Sequence, residues 1–394
     1  MEKYDITKPM KIPVGMHKLN GEPGISFQLN RLVNMDGCDL AVAKEIGLAI
    51  KSASDFYRVL KSRADSELEQ GHIKNAAALY RMSEFYTDWE DENGLNAWKK
   101  ARELFFQYYA DFFSGERPIV KLVKVPYEGC EMPVLKFNAE SPKGTIVMHG
   151  GFDSSYEEFF SECEYLRERG YDVYLFEGPG QGECIRLYGA PLVIEWEKPV
   201  MAVTEYFDLH DVILVGQSLG GFFAPRASAF DDRVTKCVSI AQFGALKMNF
   251  SDNAIVNGLT IGLLNVVLYG FGWLINILYA AKKGKGMPFF RTYFHRMGTT
   301  NVYRLEDPLE HSPPSDCRQA DQGLPDNRRQ QGFNGMPRGS GQASADSAES
   351  AVSLLPRDNG VRAGCRPLLL RKSDRGDGRS TTVGRNDRAP RQVV

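Results

Sequence analysis

The chain has 394 residues, enough for one large domain with an accessory domain, or for two domains. Hydrophobic residues make up 43% and aromatic residues 11%, as in an ordinary soluble globular protein. A net charge of −2 speaks against nucleic acid or an anionic membrane as a partner.

The seven cysteines, Cys38, Cys130, Cys163, Cys184, Cys237, Cys317 and Cys365, are scattered singly. No CxxC pair or metal-ligand spacing is present, so no metal site is expected. The opening MEKYDITKPMKIPVG has no apolar run of the signal-peptide kind. Free thiols and a cytoplasmic location are the expectation.

Residues 39–114 read as helices. In HIKNAAALYRMSEFYTDWED, Ile73, Ala77, Leu79, Tyr80, Met82 and Phe85 fall near one face at helical spacing. LNAWKKARELFFQYYADFF repeats the pattern and stops at Ser114-Gly115. Residues 1–115 are therefore assigned to an N-terminal helical domain.

From Ile119 the period changes. IVKLVKVPY and CEMPVLKF read as strands around a turn at Glu128-Gly129. The strand TIVMH (145–149), a helix over 156–168 and the strand DVYLF (172–176) follow. A helix near 195–207, the strand DVILVG (211–216), a helix from Ser218 and the strand VTKCVSI (234–240) come next. Alternating short strands and amphipathic helices predict a mostly parallel sheet covered on both faces, an α/β architecture spanning 116–310.

Residues 254–281 are apolar and long enough to span a bilayer. They also carry Asn257, Asn265, Asn276 and four glycines, which lipid would strand without partners. The reading taken is a helical lid inserted at about 245–300, with a membrane anchor as the alternative.

After about residue 310 the character shifts. Residues 311–394 hold one aromatic, Phe333, and one lysine, Lys372, against thirteen arginines. Only VSLL (352–355) and PLLL (367–370) are apolar runs, so a disordered tail is expected. The composition favours a change of reading frame near 304–312 over a natural tail, because a sheet ending at its sixth strand should need two more.

Gly216-Gln217-Ser218-Leu219-Gly220 follows an apolar strand and opens a helix, the context a nucleophile elbow requires. Ser218 is the candidate nucleophile; Gly216, Gln217 and Gly220 complete the elbow. His149-Gly150-Gly151-Phe152-Asp153 follows an earlier strand, where an oxyanion-hole loop belongs. The donors are assigned to the N–H of Leu219 and of Gly151 or Phe152. His149 is read as shaping the loop, not as a base. In FEGPGQGEC (176–184), a tight loop, Glu177 and Glu183 are read as solvated carboxylates, with a role as site acids the alternative. Glu195-Trp196-Glu197 is read as an acidic helix start.

The order Ser, acid, His is not completed. After Ser218 only His295 and His311 remain, and Asp307, Asp316 and Asp358 have no structural support as the acid. The triad acid and histidine are unassigned.

ALYRMSEFY, VPYEGCEMPV, IVMHGGFDSSYEEFF, YLFEGPGQGE, EWEKPV and VGQSLGG together resemble one branch of the α/β-hydrolases. That branch contains the fungal heptaketide pigment hydrolases that shorten naphthopyrones, dihydroxypseudooxynicotine hydrolase and fermentation-respiration switch-like proteins. The resemblance covers roughly residues 40–305. It implies a helical cap on a hydrolase core, no cofactor, often a homodimer, and serine hydrolysis of a carbon–carbon bond beside a ketone or of an ester. It places the substrate among small apolar or aromatic ketones or esters of polyketide pigment or other secondary-metabolite pathways. Ser218 matches the nucleophile and His149–Phe152 the oxyanion loop, whereas the family's acid and histidine find no match. A simple esterase or peptidase, or a catalytically dead truncated hydrolase, are the other readings.

Overall fold

The computed structural model describes residues 2–13, 15–34, 37–240, 288–299, 352–356 and 368–369. Five helices come first: α1 (Pro23–Asn34), α2 (Leu40–Ala49), α3 (Ala53–Glu69), α4 (Ile73–Ser83) and α5 (Glu92–Tyr108). The helical segment thus begins before residue 39. Asn30 hides α1 from a periodicity reading, because a buried amide interrupts its apolar stripe. The amide is satisfied by donating to the His17 carbonyl at 2.7 Å and accepting from the His17 N–H at 2.7 Å. Asp91 caps α5 by accepting from the Asn93 N–H at 2.9 Å.

The sheet opens with the hairpin β1 (Val120–Tyr127) and β2 (Cys130–Phe137). Glu128 (φ +35°) and Gly129 (φ +83°) turn it, the two positive angles a tight hairpin needs. Then follow β3 (Thr145–His149), α6 (Phe160–Glu168), β4 (Asp172–Phe176), α7 (Gly182–Tyr188), α8 (Glu197–Tyr206), β5 (Val212–Gln217), α9 (Gly220–Phe230) and β6 (Val234–Ile240). Helix α7 occupies part of what was read as loop. A seven-residue helix is too short for its period to show beside the glycines that precede it. Helix α10 (Pro288–Arg296) lies in the expected lid region, whereas 241–287, including the apolar stretch 254–281, falls outside the described residues. Among the described residues no helix is long and apolar enough to cross a membrane.

Strand order is β1-β2-β4-β3-β5-β6, followed by β7 (Val352–Pro356) and β8 (Leu368–Leu369). Strands β4, β3, β5 and β6 are parallel and the others antiparallel. Strands β7 and β8 are the two apolar runs of the tail, where a disordered segment was expected. Without them β6 would present an open edge, and Val352–Pro356 pairs with it, Ile240 opposite Val352. The remainder of the tail, with the inferred frame change near 304–312, lies outside the described residues.

Side chains alternate across the sheet. Ile146 and Met148 of β3 join a core with Val173, Leu175, α6 and helices α1–α5. Val147 points the other way, into a second core with Trp196, Val200, Phe222 and Phe223. The N-terminal helices therefore share an apolar core with one face of the sheet. Burial of this kind contributes about 1.5–3 kcal/mol per large aliphatic or aromatic side chain.

Candidate active site

Strand β3 is hydrogen-bonded to β4 on one side and β5 on the other, with His149 opposite both Phe176 and Gly216. The chain proceeds in opposite directions from this strand, so the loops after His149 and Gly216 open beside each other at the carboxyl edge. That is where open α/β sheets form their crevices.

Ser218 sits in the turn from β5 to α9 with φ +57°, a left-handed conformation that costs a side chain about 1–3 kcal/mol. Its surroundings hold it there. Its N–H donates to the Ile240 carbonyl at 3.1 Å, and its carbonyl accepts from the Gly221 N–H at 2.9 Å. A side chain at 216 would bring its Cβ within 2.1 Å of the Gly220 carbonyl oxygen, so only glycine closes this turn. Ser218 is exposed at the tip, whereas Gly216 and Gly220 are buried.

The loop after β3 packs against this turn. A Cβ on Gly151 would lie 2.6 Å from the Leu219 nitrogen, and one on Gly220 would lie 2.5 Å from the Gly150 carbonyl oxygen. The structure thus brings Gly151 beside Ser218 and Leu219. The Gly151 N–H donates to Ser154 Oγ at 2.7 Å. Among the described residues, the N–H groups of Leu219 and Phe152 have no acceptor.

His149 is fully buried between Phe176 and Trp196, with ring centroids 5.5 and 5.3 Å away. Its Nδ1 donates to the Gly150 carbonyl at 3.0 Å. Burial pushes its pKa down to about 4, so it is neutral at pH 7 and shapes the loop. Gln217, just before Ser218, donates through Nε2 to the Glu162 carboxyl. Burial pushes Glu162 up to about 7. Sequence reading passed over Glu162, because a glutamate on an amphipathic helix looks solvated unless its burial is known.

Residues 145–260 match the family model of the alpha/beta hydrolase fold. The core is an α/β-hydrolase fold. A hydrolase, acrC, of Aspergillus aculeatus is 46% identical over 204 residues, covering 44% of this chain and 47% of that protein. The 20-hydroxy-prefusarin hydrolase FUS2 of Gibberella moniliformis is 29% identical over 306 residues, covering 67% of this chain and 72% of that protein. The 2,6-dihydropseudooxynicotine hydrolase of Paenarthrobacter nicotinovorans is 28% identical over 214 residues, 49% of this chain and 55% of that protein. The chain spans about half the length of the first and last of these relatives.

Within this hydrolase fold the loop acids are not solvated. Glu177 accepts from Arg102 at 2.7 Å, from the Tyr156 N–H at 2.9 Å and from the Glu183 N–H at 2.8 Å. Glu183 pairs with Arg102 at 2.9 Å and with Lys124. Glu197 pairs with Arg226 at 2.7 Å. Each is buried, because an arginine arriving from elsewhere in the chain repays its desolvation. Sequence reading could not supply those partners. The same device continues through Arg31, which holds Asp153 at 2.6 Å and Glu158 at 2.8 Å, and through Arg81, which holds Glu158. Helices α1, α4 and α5 are thereby tied to the loop that leaves Gly151 and Phe152.

His295 makes its contacts with Trp89 and not with the Ser218 turn among the described residues. Its ring stacks on Trp89 at 3.7 Å and 4°, beside a cavity of about 420 Å³ also lined by Leu95, Ile185, Arg186 and Arg296. Burial, with Arg296 beside it, pushes His295 down to about 4. Among the described residues no histidine is hydrogen-bonded to Ser218. His311, Asp307, Asp316 and Asp358 lie outside the described residues.

Proposed function

We propose that the chain is a serine-dependent hydrolase that cleaves a carbon–carbon bond beside a ketone, or an ester. The observation that carries this reading is Ser218 at φ +57° with Gly151 packed against it. In this reading Ser218 Oγ attacks a carbonyl carbon and the oxyanion is held by the N–H groups of Leu219 and Phe152. Gly151 supplies the room, since its own N–H is committed to Ser154. The proton lost from Ser218 Oγ passes to the leaving carbanion or alkoxide, and water then cleaves the serine ester, releasing the acid and restoring the hydroxyl.

The relatives named for 20-hydroxy-prefusarin and for 2,6-dihydropseudooxynicotine support a small organic substrate. We place it among apolar or aromatic ketones and esters of secondary metabolism, handled without a cofactor, in the cytoplasm, by a homodimer.

A second reading rests on His295. Its imidazole stacks on Trp89 and, among the described residues, makes no hydrogen bond to Ser218. On that reading the fold has lost catalysis, since a serine without a base is a poor nucleophile at neutral pH. Labelling with a fluorophosphonate probe, against a Ser218→Ala control, decides between them. Ser218-dependent labelling supports the hydrolase, and its absence from the folded chain supports the non-catalytic reading.

A further inference from the structure

Gln181 lies in the loop between β4 and α7 and is 1% exposed. Its side-chain Nε2 donates to two successive carbonyls of the neighbouring loop, Gly150 at 3.0 Å and Gly151 at 2.7 Å. Its Oε1 accepts from the Gly178 N–H at 2.9 Å. An amide has one accepting and one donating end, so the Gly178 contact fixes which end faces Gly150 and Gly151.

The Gly151 carbonyl and the Phe152 N–H belong to one planar trans peptide and point in opposite directions. Holding the carbonyl toward Gln181 therefore aims the Phe152 N–H away from it. On its Gly151 side this peptide resists turning only weakly, because Gly151 carries no Cβ. The adjoining carbonyl, Phe152, accepts from Arg296 Nη1 at 3.3 Å, and the same nitrogen donates to Gly180, the residue before Gln181, at 2.7 Å.

We infer that Gln181 is a positioning residue: it orients the Gly151–Phe152 peptide so that the Phe152 N–H serves as an oxyanion donor for Ser218. The inference rests on the serine-hydrolase reading for its catalytic meaning, but not for its geometry.

Gln181→Met keeps the length and removes both donors. Crystal structures of the parent and the variant are compared, together with kcat and KM on an aryl ester. The expected result is a turned Gly151–Phe152 peptide, kcat lower by at least about tenfold and KM within about twofold. An unmoved peptide overturns the inference whether or not the parent is active. A turned peptide with unchanged kcat also overturns it. An inactive parent sinks the hydrolase reading and, with it, the catalytic part of the inference, while the peptide's orientation still reports on the positioning. If Gln181→Met does not fold, Gln181→Leu serves the same purpose, since it too has no donor for the Gly150 and Gly151 carbonyls.

Discussion

Gly151 and Ser218 are so close that a methyl group on the Gly151 Cα would come within 3.0 Å of the serine Cβ. It would also come within 2.6 Å of the Leu219 nitrogen, which is backbone and cannot swing aside. Gly151→Ala is therefore expected to push the two loops apart. Ser218-dependent probe labelling should slow by about a hundredfold, the scale of one lost oxyanion donor. Labelling at the parental rate would show that the two loops do not act together.

Arg102 is the one cation that touches Glu157, Glu177 and Glu183, at 2.6, 2.7 and 2.9 Å, among the described residues. It also lies 4.0 Å from the centre of the Tyr156 ring. Arg102→Leu leaves the buried Glu177 and the part-buried Glu157 without their cation, and Glu183 with Lys124 alone. Loss of about 3–5 kcal/mol is expected, read as a lower midpoint in urea. A midpoint within experimental error of the parent would mean that water reaches these acids.

His149 gives a pH dependence with a definite sign. Its folded pKa of about 4 lies below the usual 6.5, so the unfolded chain binds its proton first as pH falls. The stability from keeping it neutral is complete above pH 6.5 and is lost as pH falls toward 4, roughly 3 kcal/mol in all. His149→Asn should remove that part of the acid sensitivity in denaturation curves taken between these pH values. An unchanged pH profile would show that His149 does not titrate in this range.

Glu162 has the opposite sign. Its folded pKa of about 7 lies above the usual 4.5, so its stabilising effect is full below 4.5 and is lost as pH rises through 7. Glu162→Gln should therefore lose less stability than the parent as pH rises from 4.5 to 7, measured by thermal unfolding. A steeper loss in the variant over that range would count against a buried, protonated Glu162.

Much of the architecture is legible along the chain. TIVMH, DVYLF and VTKCVSI are strands β3, β4 and β6 to the residue, because short β-branched and aromatic runs bounded by turns leave little freedom of placement. The elbow is legible for a similar reason: a glycine on each side of Ser218 is a local steric need that local sequence must meet. Helices α1 and α7 were not, since one carries a buried asparagine and the other is too short to show a period.

The roles of Glu162, Gln181 and Arg102 are of another kind. In sequence they are three ordinary polar residues on helices or in a loop. Only the tertiary structure puts Glu162 against Gln217, Gln181 under the Gly150 and Gly151 carbonyls, and Arg102 among three carboxylates. Strands β1–β6, most of the helices around them and the glycine-flanked serine turn were readable from sequence alone, because backbone sterics and apolar periodicity act over a few residues. The fold decided which polar side chains are buried and what they hold, because burial and partnership depend on residues dozens of positions apart.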